Sequence, residues 1–150
     1  MNINDKKIEF DSASDRIQVE AVRQMLSKAF WCPDITETEI RKGIHNSALV
    51  VGAYLPDGKQ IGFLRVISDK VRFAYILDVI VHENHRRKNL GQNMVRYALS
   101  HKDLKDVYQW LLVTQDAHGV YVKCGFQKLG NPENWMSIIK SRPDRANYEG

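Results

Sequence analysis

The stretch "FAYILDVIV", Phe73 to Val81, constrains the fold more than any other part of the chain. It is rich in β-branched and aromatic residues and is apolar at both odd and even positions, so as a strand it has no face to give to water. A strand of that kind sits inside a sheet covered on both sides. Its one exception is Asp78, where an ionised carboxylate is costly unless it is paired or hydrogen-bonded.

The flanking sequence supplies the cover. Val22, Met25, Leu26 and Ala29 fall on one helical face within Ile17 to Phe30, with Asp15 available as a cap. After "WCPDI", the segment "TETEIRKGIHNS" starts a second helix, with Thr36 and Glu39 at capping-box spacing. "ALVVGAYL", "PDGKQ" and "IGFLRVIS" read as a β-hairpin. Asn89 to His101 returns to helical spacing, and "YQWLLVT" supplies a further strand. "DAHGVYVKCGF" reads as a short helix closed by Gly125 with Phe126 folding back, and "WMSIIK" as a last strand. The expected fold class is therefore α/β, a mixed sheet flanked by helices.

The chain has 150 residues, enough for one domain with one sizeable core and too few for two. Residues 1–150 are thus expected to form a single domain, with a core over about 8–140 and a patternless polar tail, "SRPDRANYEG", over 141–150. The first residues, "MNINDKKIEFDSASDR", lack the apolar stretch of a secretory signal, and no window reaches the roughly eighteen apolar residues of a membrane span. Cys32 and Cys124 form no local motif and read as free thiols, so a reducing, cytoplasmic setting is expected. A net charge of +4 favours anionic partners without choosing between nucleic acid and a phosphorylated small molecule.

Directly behind the central strand comes "HRRKNLGQNM". Three cations there could be a solvated charge run, a nucleic-acid handle or a phosphate cradle. A loop between a strand and a helix start leaves backbone N–H groups pointing outward with partial positive charge, which suits phosphate. Arg86, Arg87 and Lys88 add full charges, and Gly91 removes a side chain that would hold a pyrophosphate off the first turn. Asn89 tolerates a left-handed backbone and could also cap the helix. The nucleic-acid reading needs a basic stripe with stacking aromatics, and the following helix adds only Arg96 and Lys102.

These residues carry a resemblance. "VHENHRRKNLGQNM" resembles the acetyl-CoA loop of the GCN5-related N-acetyltransferases, the GNAT family, with its pattern R/QxxGxG/A between the fourth strand and third helix. Arg86 falls on the R/Q and Gly91 on the last G/A, while Asn89 replaces the first glycine. "TQDAHGVYVKCGF" is similar to the family's closing segment, a strand end, a helix carrying a tyrosine, then GF. The order of elements matches from about Ile8 to Lys140.

The resemblance implies a mixed, mostly antiparallel sheet of about six to seven strands with about four helices. It implies acetyl-CoA as co-substrate and a primary amine of a small molecule or peptide as acceptor, attacking the thioester directly in a ternary complex. Main-chain groups of Val79, Ile80 and Val81 would hold pantetheine and thioester, and the loop Arg86, Arg87, Lys88, Asn89, Leu90, Gly91 and Gln92 the pyrophosphate, with Thr114 as a further cofactor contact. Tyr121 falls on the family's tyrosine, where a phenol of pKa about 10 can donate to a thiolate. A packed helix tyrosine is the plain alternative. "LDVIV" resembles the "EDxxV" of polyamine-type members, with Asp78 on the aspartate and Leu77 in place of the glutamate. Asp78 is thus a catalytic candidate and equally a structural one, with Tyr75, His82, Asp116 and His118 as other bases. The acceptor pocket would be bordered by "FWCPDITETE" and by the strand ends near Tyr75 and Trp135, with Trp31 and Phe30 as walls and Asp34, Glu37 or Glu39 attracting a cation; Trp31 could instead be core. Cys124 reads as an inert thiol, and no residues stand at metal-ligand spacing. The partners implied are an amine acceptor and, left open, a second copy in a homodimer, with no nucleic acid and no membrane. An idle acyl-CoA-binding sensor and a small basic nucleic-acid-binding domain remain rivals.

Overall fold

A computed structural model describes residues 7–142 of the chain; the start of the chain and the tail beyond Arg142 lie outside the described residues. Five strands, β1 (Glu9–Asp11), β2 (Leu49–Tyr54), β3 (Gln60–Ser68), β4 (Phe73–Val81) and β5 (Gln109–Leu111), form one sheet in that order. All neighbours are antiparallel except β4 and β5, which run parallel. The helices are α1 (Val19–Ser27), α2 (Glu37–His45), α3 (Leu90–Leu99) and α4 (His118–Val122).

Each face of the sheet has its own core. On one side Leu90, Met94, Val95 and Ala98 of α3 pack with Val51, Leu64, Val66, Ala74 and Ile76, while Val79, Val81, Tyr121 and Phe126 lie partly buried against them. On the other side Val22, Met25 and Leu26 of α1 and Ile40 of α2 pack with Val50, Phe63 and Ile80. Met94 and Val22 are fully buried, and such a side chain contributes about 1.5–3 kcal/mol on leaving water. The double cover expected of β4 is there, and β4 occupies the span its sequence sets.

Local signals account for the helix starts. At α2 the Thr36 side chain accepts from the Glu39 N–H and the Glu39 carboxylate accepts from the Thr36 N–H, completing the capping box. α1 departs from expectation, because Asp15 lies in a short 3-10 turn (Ser14–Arg16) and Gln18 is the residue before the helix. There the Gln18 N–H donates to Oε1 of Gln60 at 2.8 Å, and the Gln60 N–H donates to Oε1 of Gln18 at 3.1 Å, tying α1 to β3.

The sheet is smaller than the six to seven strands expected, and the strand expected at "WMSIIK" is absent. Met136, Ile138 and Ile139 are 96%, 88% and 90% exposed. An alternating pattern fixes how a segment would face a sheet, but a neighbour must offer the ladder. β5 pairs over three residues only, and among the described residues nothing pairs with its outer edge.

One irregularity positions everything that follows. Between the pairs Arg65–Leu77 and Phe63–Ile80, β4 carries one residue more than β3, so Asp78 and Val79 together stand against Leu64. This is a β-bulge, and Asp78 takes the left-handed backbone with φ of 56°.

Candidate active site

β4 and β5 pair only from Phe73–Tyr75 to Gln109–Leu111 and then part. The gap is a cleft of about 410 Å³, lined on one side by Tyr75 to Val79 and on the other by Leu112 to Ala117 with Tyr121, and walled at its mouth by Phe30 and Trp31. Divergence of two parallel strands leaves main-chain N–H and C=O groups available in the opening, which suits an extended ligand that hydrogen-bonds like a strand.

Two groups able to hold a proton meet in this cleft. Asp78, turned by the bulge, accepts a hydrogen bond at Oδ2 from Nε of Arg65 at 2.7 Å, with both side chains mostly buried. The partner that makes a carboxylate tolerable here is thus Arg65 of β3. No local pattern in the sequence pointed to this pairing. Tyr121 projects from α4, edge-on to Phe126 with ring centroids 6.2 Å apart. Burial pushes its phenol above the usual 10.0, with Cys124 and Asp116 adding to the shift, so it is held protonated. The helix that carries it ends as expected: Gly125 is left-handed at φ 101°, and the Phe126 N–H donates back to the Tyr121 carbonyl at 3.1 Å.

The cation loop leads from the end of β4 into α3. Nε of Arg86 donates to the Val81 carbonyl at 3.2 Å, while Arg87 and Asn89 both take left-handed backbones, at φ 65° and 61°. Asn89 therefore supplies the conformation of the missing glycine, and its side chain makes no capping bond. Arg87 was not foreseen as left-handed; arginine is not enriched in that region, so its type carries no signal. A Cβ built on Gly91 would stand 3.8 Å from Val79 and 3.9 Å from Val81, ordinary contact distances. The protein's own packing does not demand glycine there, and the bare Cα leaves room for a group approaching the first turn from outside. The residues thus fit a pyrophosphate: a bare Cα, a turned backbone and the exposed Arg86, Arg87 and Lys88.

Other expected residues fall variously. Tyr75 and Asp116 line the cleft, whereas His82 accepts from the Asn84 N–H in the adjoining turn and His118 is outside the lining. Ile80 faces the α1 side, which leaves only its main chain for a ligand, and Oγ1 of Thr114 accepts from the Ala117 N–H at the start of α4. Trp31 is 44% exposed and packs edge-on to Phe30 with centroids 5.1 Å apart, so it is a wall and not core. Trp135 does not border the cleft. Asp34 and Glu39 also stay outside it and instead hold Arg142. No grouping among the described residues could hold a metal ion.

The family model for the GNAT acetyltransferases matches residues 19–126, which span both core layers, the loop and the tyrosine helix. The chain belongs to the GNAT family. A solved structure from Xanthomonas campestris pv. campestris, assigned to the same family, is 30% identical over 89% of this chain and 93% of that one, with a TM-score of 0.82. A glucosamine-6-phosphate N-acetyltransferase from Arabidopsis thaliana shares the fold at 17% identity and a TM-score of 0.61, covering 91% of this chain and 98% of that one. A protein from Clostridium acetobutylicum solved with acetyl-CoA shares it at 13% identity and a TM-score of 0.65, covering 88% and 96%. No curated protein matches the chain. As a GNAT member the chain is an N-acetyltransferase, of a family that generally draws its acetyl group from acetyl-CoA. No helix among the described residues is long and apolar enough to cross a membrane.

Proposed function

We propose that this GNAT enzyme moves an acetyl group from acetyl-CoA to a primary amine of a small molecule or peptide, the amine attacking directly in a ternary complex within the β4–β5 cleft. The observation that carries the reading is that Asp78 and Tyr121 line one cleft, between a strand that has just bulged and a helix start. Acetyl-CoA supplies an acyl carbon already activated by its thioester bond.

The chain's own groups do the rest. Main-chain groups of Val79, Ile80 and Val81 orient the pantetheine arm, and N–H groups aimed at a carbonyl oxygen stabilise charge that develops there, by about 3–4 kcal/mol where one such donor has been removed in other acyl-transfer enzymes. The loop Arg86 to Gln92 binds the pyrophosphate, with Thr114 at the far wall. Asp78 takes a proton from the acceptor ammonium, and Arg65 keeps its carboxylate aimed. Tyr121 returns a proton from its Oη to the departing sulfur. Phe30, Trp31 and Tyr75 offer aromatic faces to the acceptor, which favours a cationic amine carried on an apolar body. The lining holds no lysine or arginine that would favour a phosphorylated one. Cytoplasmic residence and a single domain over 1–150, with its core over about 8–140, complete the reading.

Thermal unfolding with and without acetyl-CoA tests the first half, since a ligand present at a hundred times its Kd stabilises by about 2.7 kcal/mol. A panel of amines with detection of the freed thiol tests the second. Binding without thiol release from any amine would replace the enzyme with an acyl-CoA sensor.

A further inference from the structure

The loop joining α1 to α2, residues 28–36, carries the aromatic wall Phe30 and Trp31 and then turns inward at Cys32, which is buried. Within the loop the Ile35 N–H donates to the Cys32 carbonyl at 3.3 Å. At its start Lys28 Nζ lies 2.8 Å from Oε1 of Glu83, and past Cys32 a further tie comes from far along the chain. Arg142 places Nε 3.0 Å from Oδ1 of Asp34, and Nη2 3.1 and 3.2 Å from the two carboxylate oxygens of Glu39. One guanidinium thus joins the loop to the capping-box glutamate of α2 and stands between two carboxylates that would otherwise repel each other. Beneath them Glu39 shares a small cavity with Arg65 and Asp78, so charges of alternating sign run from the tail to the cleft: Asp34, Arg142, Glu39, Arg65, Asp78.

From this arrangement we infer that Arg142 is a positioning residue for the acceptor. It clamps the 28–36 loop so that Phe30 and Trp31 stand against the cleft, and it touches neither the cleft nor the cofactor loop. The inference rests on the acetyl-transfer reading above only for its kinetic arm. Being partly exposed, with Arg142 at 37% and Asp34 at 59%, the clamp is a modest, salt-sensitive tie suited to tuning affinity.

The experiment compares wild type with Arg142→Gln and Arg142→Lys in the full chain. Arg142→Gln is expected to raise acceptor KM about fivefold while kcat and the KM for acetyl-CoA hold, and Arg142→Lys to restore part of the loss. The second arm needs no substrate: Cys32, in a Cys124→Ser background, is labelled with a neutral thiol reagent. The Arg142 charge lowers the Cys32 pKa, so its loss by electrostatics alone would slow labelling. Faster labelling therefore reports an opened loop. Unchanged or slower labelling overturns the inference, as does faster labelling with an unchanged acceptor KM. A wild type that acetylates no amine counts against the transfer reading, and the labelling alone then decides on the clamp.

Discussion

Arg65 Nε lies 2.7 Å from Oδ2 of Asp78, joining β3 to the one residue of β4 whose backbone is left-handed. The contact ties a fold element to a chemical one, and the two roles separate by mutation. Asp78→Asn keeps the size and a hydrogen-bonding group, so it should fold and bind acetyl-CoA normally while kcat falls by about a hundredfold. Arg65→Leu leaves a mostly buried carboxylate unpaired and should cost about 2 kcal/mol of stability in denaturant unfolding. Normal turnover by a folded Asp78→Asn protein would remove Asp78 from the mechanism.

Tyr121→Phe removes only the phenolic hydroxyl. A kcat loss of about a hundredfold with unchanged acetyl-CoA affinity is expected if it is the acid. Burial holds its pKa above the usual value, so the alkaline limb of the wild-type kcat profile should fall only above about pH 10. If the Tyr121→Phe protein turned over as fast as wild type across that range, the ring would be packing alone.

Gly91→Ala separates cofactor binding from folding. The new methyl meets Val79 and Val81 at ordinary distances in the first turn of α3, where alanine is favoured over glycine by up to about 1 kcal/mol. The melting temperature should hold or rise while the Kd for acetyl-CoA rises about tenfold, measured by calorimetry.

Cys32 sets an alkaline limit on stability. Desolvation, with Asp78 next, pushes its thiol from 9.0 to about 11. The unfolded thiol loses its proton first, so stability is fully present below pH 9 and falls as pH rises toward 11, by about 2 kcal/mol. Urea unfolding of Cys32→Ala at pH 8 and pH 11 should show that slope reduced.

The sequence spoke most clearly where a signal is local. The span of β4, the capping box at Thr36 and Glu39 and the Gly125 closure each need only a few neighbouring residues, and all three stand as read. The left-handed turn into α3 was legible for the same reason, through Asn89. What failed depends on partners far along the chain. "WMSIIK" has a strand's composition, but no ladder receives it. Asp78 advertised a need for a partner without naming Arg65, and Arg142 lies 103 residues from Glu39 in a tail that showed no pattern.

The bulge at Asp78 also acts as a phase shift. Before it, the even-numbered Ala74 and Ile76 belong to the α3 side; after it, Val79 and Val81 lie on that side and the even-numbered Ile80 has crossed to the α1 side. Because β4 is apolar throughout, either parity looks acceptable in the sequence, and only the extra residue sets which one holds. Straightening the strand with all its residues in regular register would turn Val79, Ile80 and Val81 to the wrong layers at once, whereas deleting Asp78 would restore an even beat and leave all three on the sides they now occupy. The residue that brings a carboxylate to the cleft is thus the one residue of β4 that the alternation between the two hydrophobic layers skips, so the strand carries a polar group at its centre without giving up an apolar place in either layer.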